Sequence, residues 1–132
     1  MVSDFHGGWA REMERTDTRI TAGKFVNASY TGGSSSRANP FLMLSRENTT
    51  EEAGLCYGMN LIYSGNHYTA VEVGSFGKTR VVMGINPQSF CFHLEPKKTF
   101  EAPEAVMTVS ADGFGGMSRN MQYFVQEHII RG

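Results

Sequence analysis

Charge of one sign, cysteine and long apolar runs are all scarce in this sequence, and each scarcity excludes a class of protein. Twelve Lys and Arg stand against 13 Asp and Glu, a formal net charge of -1, so no broad basic field exists to attract nucleic acid or an anionic lipid surface. Neither nucleic acid nor a membrane is expected as a partner. No run reaches the ~18 apolar residues that a spanning helix needs. The opening Met1-Val2-Ser3-Asp4-Phe5-His6-Gly7-Gly8 also lacks the basic and then apolar order of a secretory signal. A soluble, unexported, cytoplasmic chain is the expectation.

The two cysteines, Cys56 and Cys91, have neither C-x-x-C spacing nor the density of a disulfide scaffold. Each lies in an apolar stretch, and both are expected as buried free thiols. Asn27-Ala28-Ser29 and Asn48-Thr49-Thr50 match the N-glycosylation pattern, which matters only on a eukaryotic secretory route. The 132 residues suffice for one domain with one core, because a chain of this length buries about two thirds of its unfolded surface.

What is present in abundance is period-two alternation. Phe90, Phe92 and Leu94 would share one face of a strand, as would Leu55, Tyr57, Met59, Leu61 and Tyr63, and again Thr79, Val81, Met83 and Ile85. Turn residues separate these runs at Ser64-Gly65-Asn66, Gly74-Ser75-Phe76-Gly77 and Asn86-Pro87. Residues 54–95 therefore read as a meander of four antiparallel strands, with 68–73 as the second. Segments 24–30, 41–45 and 105–109 are further strand candidates, and 9–15 is another. So many strands in so short a chain leave unpaired edges unless a second sheet or chain covers them, and half of a sandwich is the expected arrangement. After the breaker run Asp112-Gly113-Phe114-Gly115-Gly116 the period changes: Met117, Met121, Phe124, Val125 and His128 fall at helical spacing, with Ser118 as N-cap.

Chemistry-bearing residues are harder to assemble. Glycoside hydrolysis needs two carboxylates facing one pocket. Glu12 and Glu14 alternate with Arg11, Met13 and Arg15, the pattern of a solvated edge strand, while Glu51-Glu52 and the pair Glu101 and Glu104 around Pro103 sit in polar turns. Cys91 and His93 on one strand face, joined by Cys56 or His67, would supply too few converging ligands for zinc. The run Ser34-Ser35-Ser36 is neither a G-x-S-x-G elbow nor the ending of a phosphate loop. The adjoining segment, Arg37-Ala38-Asn39-Pro40-Phe41, is braced by proline, which fixes its own φ and pushes Asn39 extended. A loop so braced can present side chains to a neighbour. Of the aromatics able to stack on a sugar ring, Trp9, Tyr30, Tyr57, Tyr63, Tyr68 and Phe76, most are expected in the core, with Trp9 and Phe76 exposed.

Several ordered motifs then point to a family. They are Gly8-Trp9-Ala10-Arg11-Glu12, Gly33-Ser34-Ser35 leading to Asn39-Pro40-Phe41, Tyr57-Gly58, Tyr63-Ser64-Gly65-Asn66 and Phe76-Gly77-Lys78-Thr79-Arg80-Val81. Gly84-Ile85-Asn86-Pro87, Leu94-Glu95-Pro96, Thr99-Phe100-Glu101-Ala102-Pro103-Glu104-Ala105, Gly116-Met117-Ser118 and Ile130-Arg131-Gly132 continue the series. Over essentially the whole chain the sequence resembles the N-terminal domain of bacterial α-galactosidases of glycoside hydrolase family 36.

The resemblance implies a mainly β fold, part of a β-supersandwich with a C-terminal linker helix. Residues 1–115 would be the later part of the sandwich and 116–132 the linker toward a (β/α)8 barrel. In that family the barrel supplies two catalytic aspartates. No position here matches them, so no catalytic residue is expected in this chain, and no metal or organic cofactor is implied. The implied partners are the catalytic barrel of the parent protein and further copies in a homo-oligomer, with an α-galactoside at most peripherally. Loops of this domain can reach a neighbouring subunit's active-site mouth, and the 32–41 loop is the candidate, with Arg37, Asn39 and Phe41 as substrate-binding residues. This loop departs from the family pattern at Thr31, where a basic residue is common, and at Ser36, where a His is common. A stand-alone carbohydrate-binding module and an oligomerisation domain without sugar contact are the alternatives.

Overall fold

The alternating apolar runs fold into two antiparallel sheets packed face to face, with a helix against the outer face of the larger one. This is a computed structural model, and it describes residues 1–8, 11–33 and 37–130. Among these the strands are β1 (Val2–Gly8), β2 (Arg11–Thr18), β3 (Gly23–Ala28), β4 (Phe41–Ser45), β5 (Cys56–Ile62), β6 (His67–Val73), β7 (Thr79–Ile85) and β8 (Glu104–Ser110). Helix α1 (Gly113–Phe124) comes next and runs into a π-helical turn (Val125–Ile129). The larger sheet has the order β2-β1-β4-β5-β8 and the smaller β3-β6-β7, every neighbouring pair antiparallel. The fold class expected from the sequence, mainly β with a C-terminal helix, is the one observed.

Two apolar clusters hold these layers. Val2, Leu42, Met59 and Val71 are buried between the sheets, with Ile20, Phe25, Leu44, Val81 and Met83 packed around them. Met43, Cys56, Phe114 and Met117 are buried between the larger sheet and α1, flanked by Phe5, Phe41 and Met121. Burial of each such side chain contributes about 1.5–3 kcal/mol. Strand β4 has no polar position before Ser45 because it is covered on both sides: Leu42 and Leu44 point to the smaller sheet, Phe41 and Met43 to the helix.

Three expectations are corrected. The 54–95 meander is not continuous. Its first run, β5, pairs with β4 and β8, whereas β6 and β7 pair in the other sheet, so the chain changes sheet at residues 63–66. Residues 90–95 form no strand, and the Phe90, Phe92 and Phe100 rings cluster on irregular, exposed backbone. Cys91 lies in this segment and is exposed, while Cys56 is buried. Alternation was misleading there because the segment crosses from β7 in the smaller sheet to β8 in the larger and pairs with no strand among the described residues.

The third correction is the helix start, which is Gly113 with Asp112 at the cap position rather than Ser118. The first N–H groups of a helix have no partner within it, and here backbone takes the place of a capping side chain. Gly113, Phe114 and Gly115 donate to the carbonyls of Gly54, Thr50 and Glu51 at 3.0, 3.0 and 2.9 Å. Such close approach of loop to helix leaves no room for side chains. At Gly113 φ is +73°, and a Cβ there would overlap the Thr50 carbonyl oxygen and come within 2.7 Å of the Ala53 nitrogen. Of the predicted helical stripe, Met117 and Met121 pack on the sheet, whereas Val125 and His128 are exposed.

Gly113→Ala should therefore cost at least about 2 kcal/mol, combining left-handed backbone strain with overlap against backbone that cannot swing away. Gly77→Ala, at φ +72° with nothing within 4 Å, carries the strain alone and should cost about 1 kcal/mol. Urea unfolding of the two variants checks the order, and an equal loss in both would contradict the role given to the loop–helix contact.

Candidate binding site at the loop end of the sandwich

The 32–41 loop leaves β3 at one end of the sandwich, and the buried Asn86 and half-buried Asn66 side chains hold its base. Ser29 N–H donates to the His67 carbonyl at 3.0 Å, the Asn86 side-chain amide donates to the Ser29 carbonyl at 2.9 Å, and the Asn66 side-chain oxygen accepts from Gly32 N–H at 2.9 Å. Ser29 Oγ also donates to the Gly33 carbonyl. Asn66 and Asn86 read as turn residues in the sequence. In the structure they tie the ends of β6 and β7 to the loop.

The three sequence-predicted site residues do not face one point. Arg37 is exposed and borders a cleft between β1, β2 and β3. Asn39 is half-buried and turns the chain: its N–H donates to the Phe5 carbonyl at 3.1 Å, and its side-chain oxygen accepts from Phe41 N–H at 3.0 Å. Phe41 points to the helix side, its ring 5.7 Å from that of Phe5. Trp9 and Ser34 to Ser36 lie outside the described residues. Phe76, expected at the surface, is 93% exposed at the tip of the β6–β7 hairpin.

The cleft beside Arg37 measures about 430 Å3 and is lined by Asp4, His6, Thr16, Asn27 and Ala38 among others. Strand register explains why these meet: Asp4 stands opposite Thr16 across β1 and β2, on the face turned to β3. The Thr16 hydroxyl lies 3.3 Å from the His6 imidazole. Behind the cleft, His67 Nε2 donates to Asn27 Oδ1 at 2.9 Å, and Asn27 Nδ2 donates to Asp4 Oδ2 at 3.3 Å. His67 is fully buried and Asn27 nearly so. Sequence reasoning missed Asp4, Thr16 and Asn27, for which strand pairing is the missing signal, and treated His67 only as a candidate zinc ligand.

Cys91 and His93 share no strand face, and Cys56 donates to the Gly113 carbonyl at 3.2 Å under the helix. Among the described residues no three His, Cys, Asp or Glu side chains converge as metal ligands. Glu14, Glu51, Glu52, Glu101 and Glu104 are all exposed, as their pattern implied. Among the described residues no helix is long and apolar enough to cross a membrane.

Known proteins decide the family. The model of the glycosyl hydrolase family 36 N-terminal domain matches residues 1–95. The chain belongs to glycoside hydrolase family 36. Alpha-galactosidase C of Emericella nidulans is 42% identical over 125 residues, 95% of this chain and 17% of its own length. Alpha-galactosidase AgaA of Geobacillus stearothermophilus is 38% identical over 126 residues, again 17% of its length. The crystal structure of a variant AgaA with raffinose superposes at a TM-score of 0.95 with 37% identity, covering 99% of this chain and 18% of that one. The galactosidase domain of the α-galactosidase-sucrose kinase AgaSK superposes equally well at 34% identity. This family 36 chain thus spans less than a fifth of the length of these relatives.

Two groups titrate in separate pH windows. Burial of the His67 ring lowers its pKa from 6.5, so the folded state keeps it neutral while the unfolded chain takes up a proton near pH 6.5. Its contribution to stability is complete above that pH and is lost as pH falls from about 6.5 through the lowered native value, at up to about 1.4 kcal/mol per pH unit. At Asp17 burial acts upward but is outweighed by the Ser3 hydroxyl and Arg15, which hold the carboxyl below 3.8. That loss begins only below 3.8. Urea midpoints should fall as the pH is lowered from 6.5 toward the depressed native value, and His67→Gln should flatten that slope. A wild-type profile flat across this window would contradict a neutral buried His67.

Proposed function

We propose that this chain is the later part of the N-terminal domain of an α-galactosidase, without catalytic activity by itself, whose parent hydrolyses terminal α-D-galactosyl residues of oligosaccharides such as raffinose or melibiose. The observation that carries the reading is the superposition of 99% of the chain, at a TM-score of 0.95, on 18% of a raffinose-bound family 36 α-galactosidase. In this reading residues 1–115 are the sandwich portion, and 116–132, which take up the chain three residues into α1, are the linker toward a (β/α)8 catalytic barrel.

Uncovered apolar faces support a larger parent. On β8 the residues facing the smaller sheet's side are open, Met107 at 69% and Val109 at 53% exposure, because among the described residues the smaller sheet ends at β7. A groove of about 520 Å3 results, walled by Leu44, Tyr57, Met59, Val81 and Met107. The exposed Phe90, Phe92 and Phe100 cluster is a second such face. Contiguous exposed apolar surface of this kind marks contact with further protein. In the parent homo-oligomer the 32–41 loop lies at the mouth of a neighbouring subunit's active site, where Arg37, Asn39 and Phe41 contact or support contact with substrate.

The purified chain is expected to release no galactose from p-nitrophenyl α-galactoside, and enzyme-like turnover with contaminants excluded would overturn the reading. In the parent enzyme, Arg37→Ala should raise KM for raffinose about threefold to tenfold, a loss of up to ~1.4 kcal/mol, with kcat nearly unchanged. An unchanged KM would remove the loop from the substrate.

A further inference from the structure

The cleft between β1, β2 and β3 carries a feature that sandwich packing alone does not require. A fully buried imidazole, His67, donates to Asn27, and Asn27 donates in turn to Asp4 at the cleft. Both donors point outward, so the relay ends on a carboxylate acceptor. The Asn27 oxygen is enough to satisfy His67 Nε2. The further step to Asp4 fixes a carboxylate in place where solvent reaches it. A carboxylate has about four acceptor positions, and Asn27 occupies one.

The lining states the ligand class. Asp4 disfavours phosphate or another anion, Arg37 at the rim disfavours a cation, and the Thr16 hydroxyl, the His6 ring and the Asn27 amide offer polar partners of modest strength. A fixed carboxylate accepts from hydroxyls in short bonds about twice as strong as neutral ones. The volume, about 430 Å3, lies in the ~300–1,000 Å3 range of small-molecule clefts.

We propose that this cleft binds one hexosyl unit of a neutral saccharide, with the Asp4 carboxylate, held from behind by Asn27 and His67, accepting from neighbouring ring hydroxyls. The inference deepens the reading above by giving the loop end a saccharide contact of its own, but it needs neither the parent's activity nor a second subunit. Because the cleft is open to solvent, binding belongs in the millimolar class.

Titration of the 15N-labelled 132-residue chain with D-galactose and with raffinose tests it. Saturable amide shifts centred on residues 4, 27 and 38, weakened about tenfold or more by Asp4→Asn, are the expected result. Thr16→Val, on the neighbouring strand β2, serves as a second probe should Asp4→Asn perturb the fold, and it too should weaken binding. No saturation with either sugar up to about 100 mM, two decades above a millimolar Kd, overturns the proposal. So do shifts centred elsewhere, for example around Phe76, or binding unchanged by both substitutions. The galactose-release and raffinose-KM measurements can fail without touching these outcomes, and these can fail without touching them.

Discussion

Strand β4 lies in the middle of the larger sheet with apolar matter on both faces, so its residues alternate between two cores rather than between a core and water. Leu42 and Leu44 serve the space between the sheets, and Phe41 and Met43 serve the space under α1. The same alternation runs through β5, where Met59 packs inward and Cys56 faces the helix. A one-residue slip of either strand would exchange the two sets and ruin both cores at once. That double constraint fixes the register of the larger sheet, and through it the positions of Asp4, His6 and Thr16 on β1 and β2.

The ends of the sandwich are held by a different force. At the loop end Ser29, Asn66 and Asn86 exchange hydrogen bonds with one another, with β6 backbone and with the loop, and His67 and Asn27 pair beside them. Leaving one such buried group unpaired costs about 1–3 kcal/mol, so these contacts tolerate few rearrangements, whereas an apolar core of the right volume tolerates many. A loop rooted in hydrogen bonds of this kind keeps its base fixed. At the helix, backbone carbonyls of the 49–54 loop do the same work by receiving the first N–H groups of α1.

How much of this was legible in the sequence depended on whether the signal was local. Phe41–Ser45 and Glu104–Ser110 show their strand character in five to seven residues, and the helical spacing of Met117 and Met121 is equally local, so these were readable. The helix start was not, because its caps are carbonyls of residues 50, 51 and 54, which no capping pattern near Gly113 reveals. The sheet change between β5 and β6 was hidden for a related reason: a short Ser-Gly-Asn connection is the usual mark of a hairpin, and it is the pairing of β5 with the distant β4 and β8, and of β6 with β3 and β7, that makes it join two sheets instead. The loop residues Arg37 and Asn39 were visible through Pro40, but Asp4, Thr16 and Asn27 meet only by cross-strand register and had no signal of their own. The family resemblance, carried by many short motifs in order, was more legible than any single element of the fold.

Among the described residues the two sheets are unequal, five strands against three, and the inequality divides the molecule's surface into two kinds. Where β3 covers β1 and β2, polar side chains from both sheets meet over a shared cleft, and those carried on the strands are braced by strand pairing. Where the smaller sheet ends at β7, the inward face of β8 stays open, and what it shows is the apolar pair Met107 and Val109. The first surface has the fixed donors and acceptors that discriminate among small polar ligands. The second offers area without direction, which suits contact with more protein and little else. The two surfaces thus differ in kind as well as place, and neither the polar cleft nor the open apolar face of β8 depends on a pair of catalytic carboxylates.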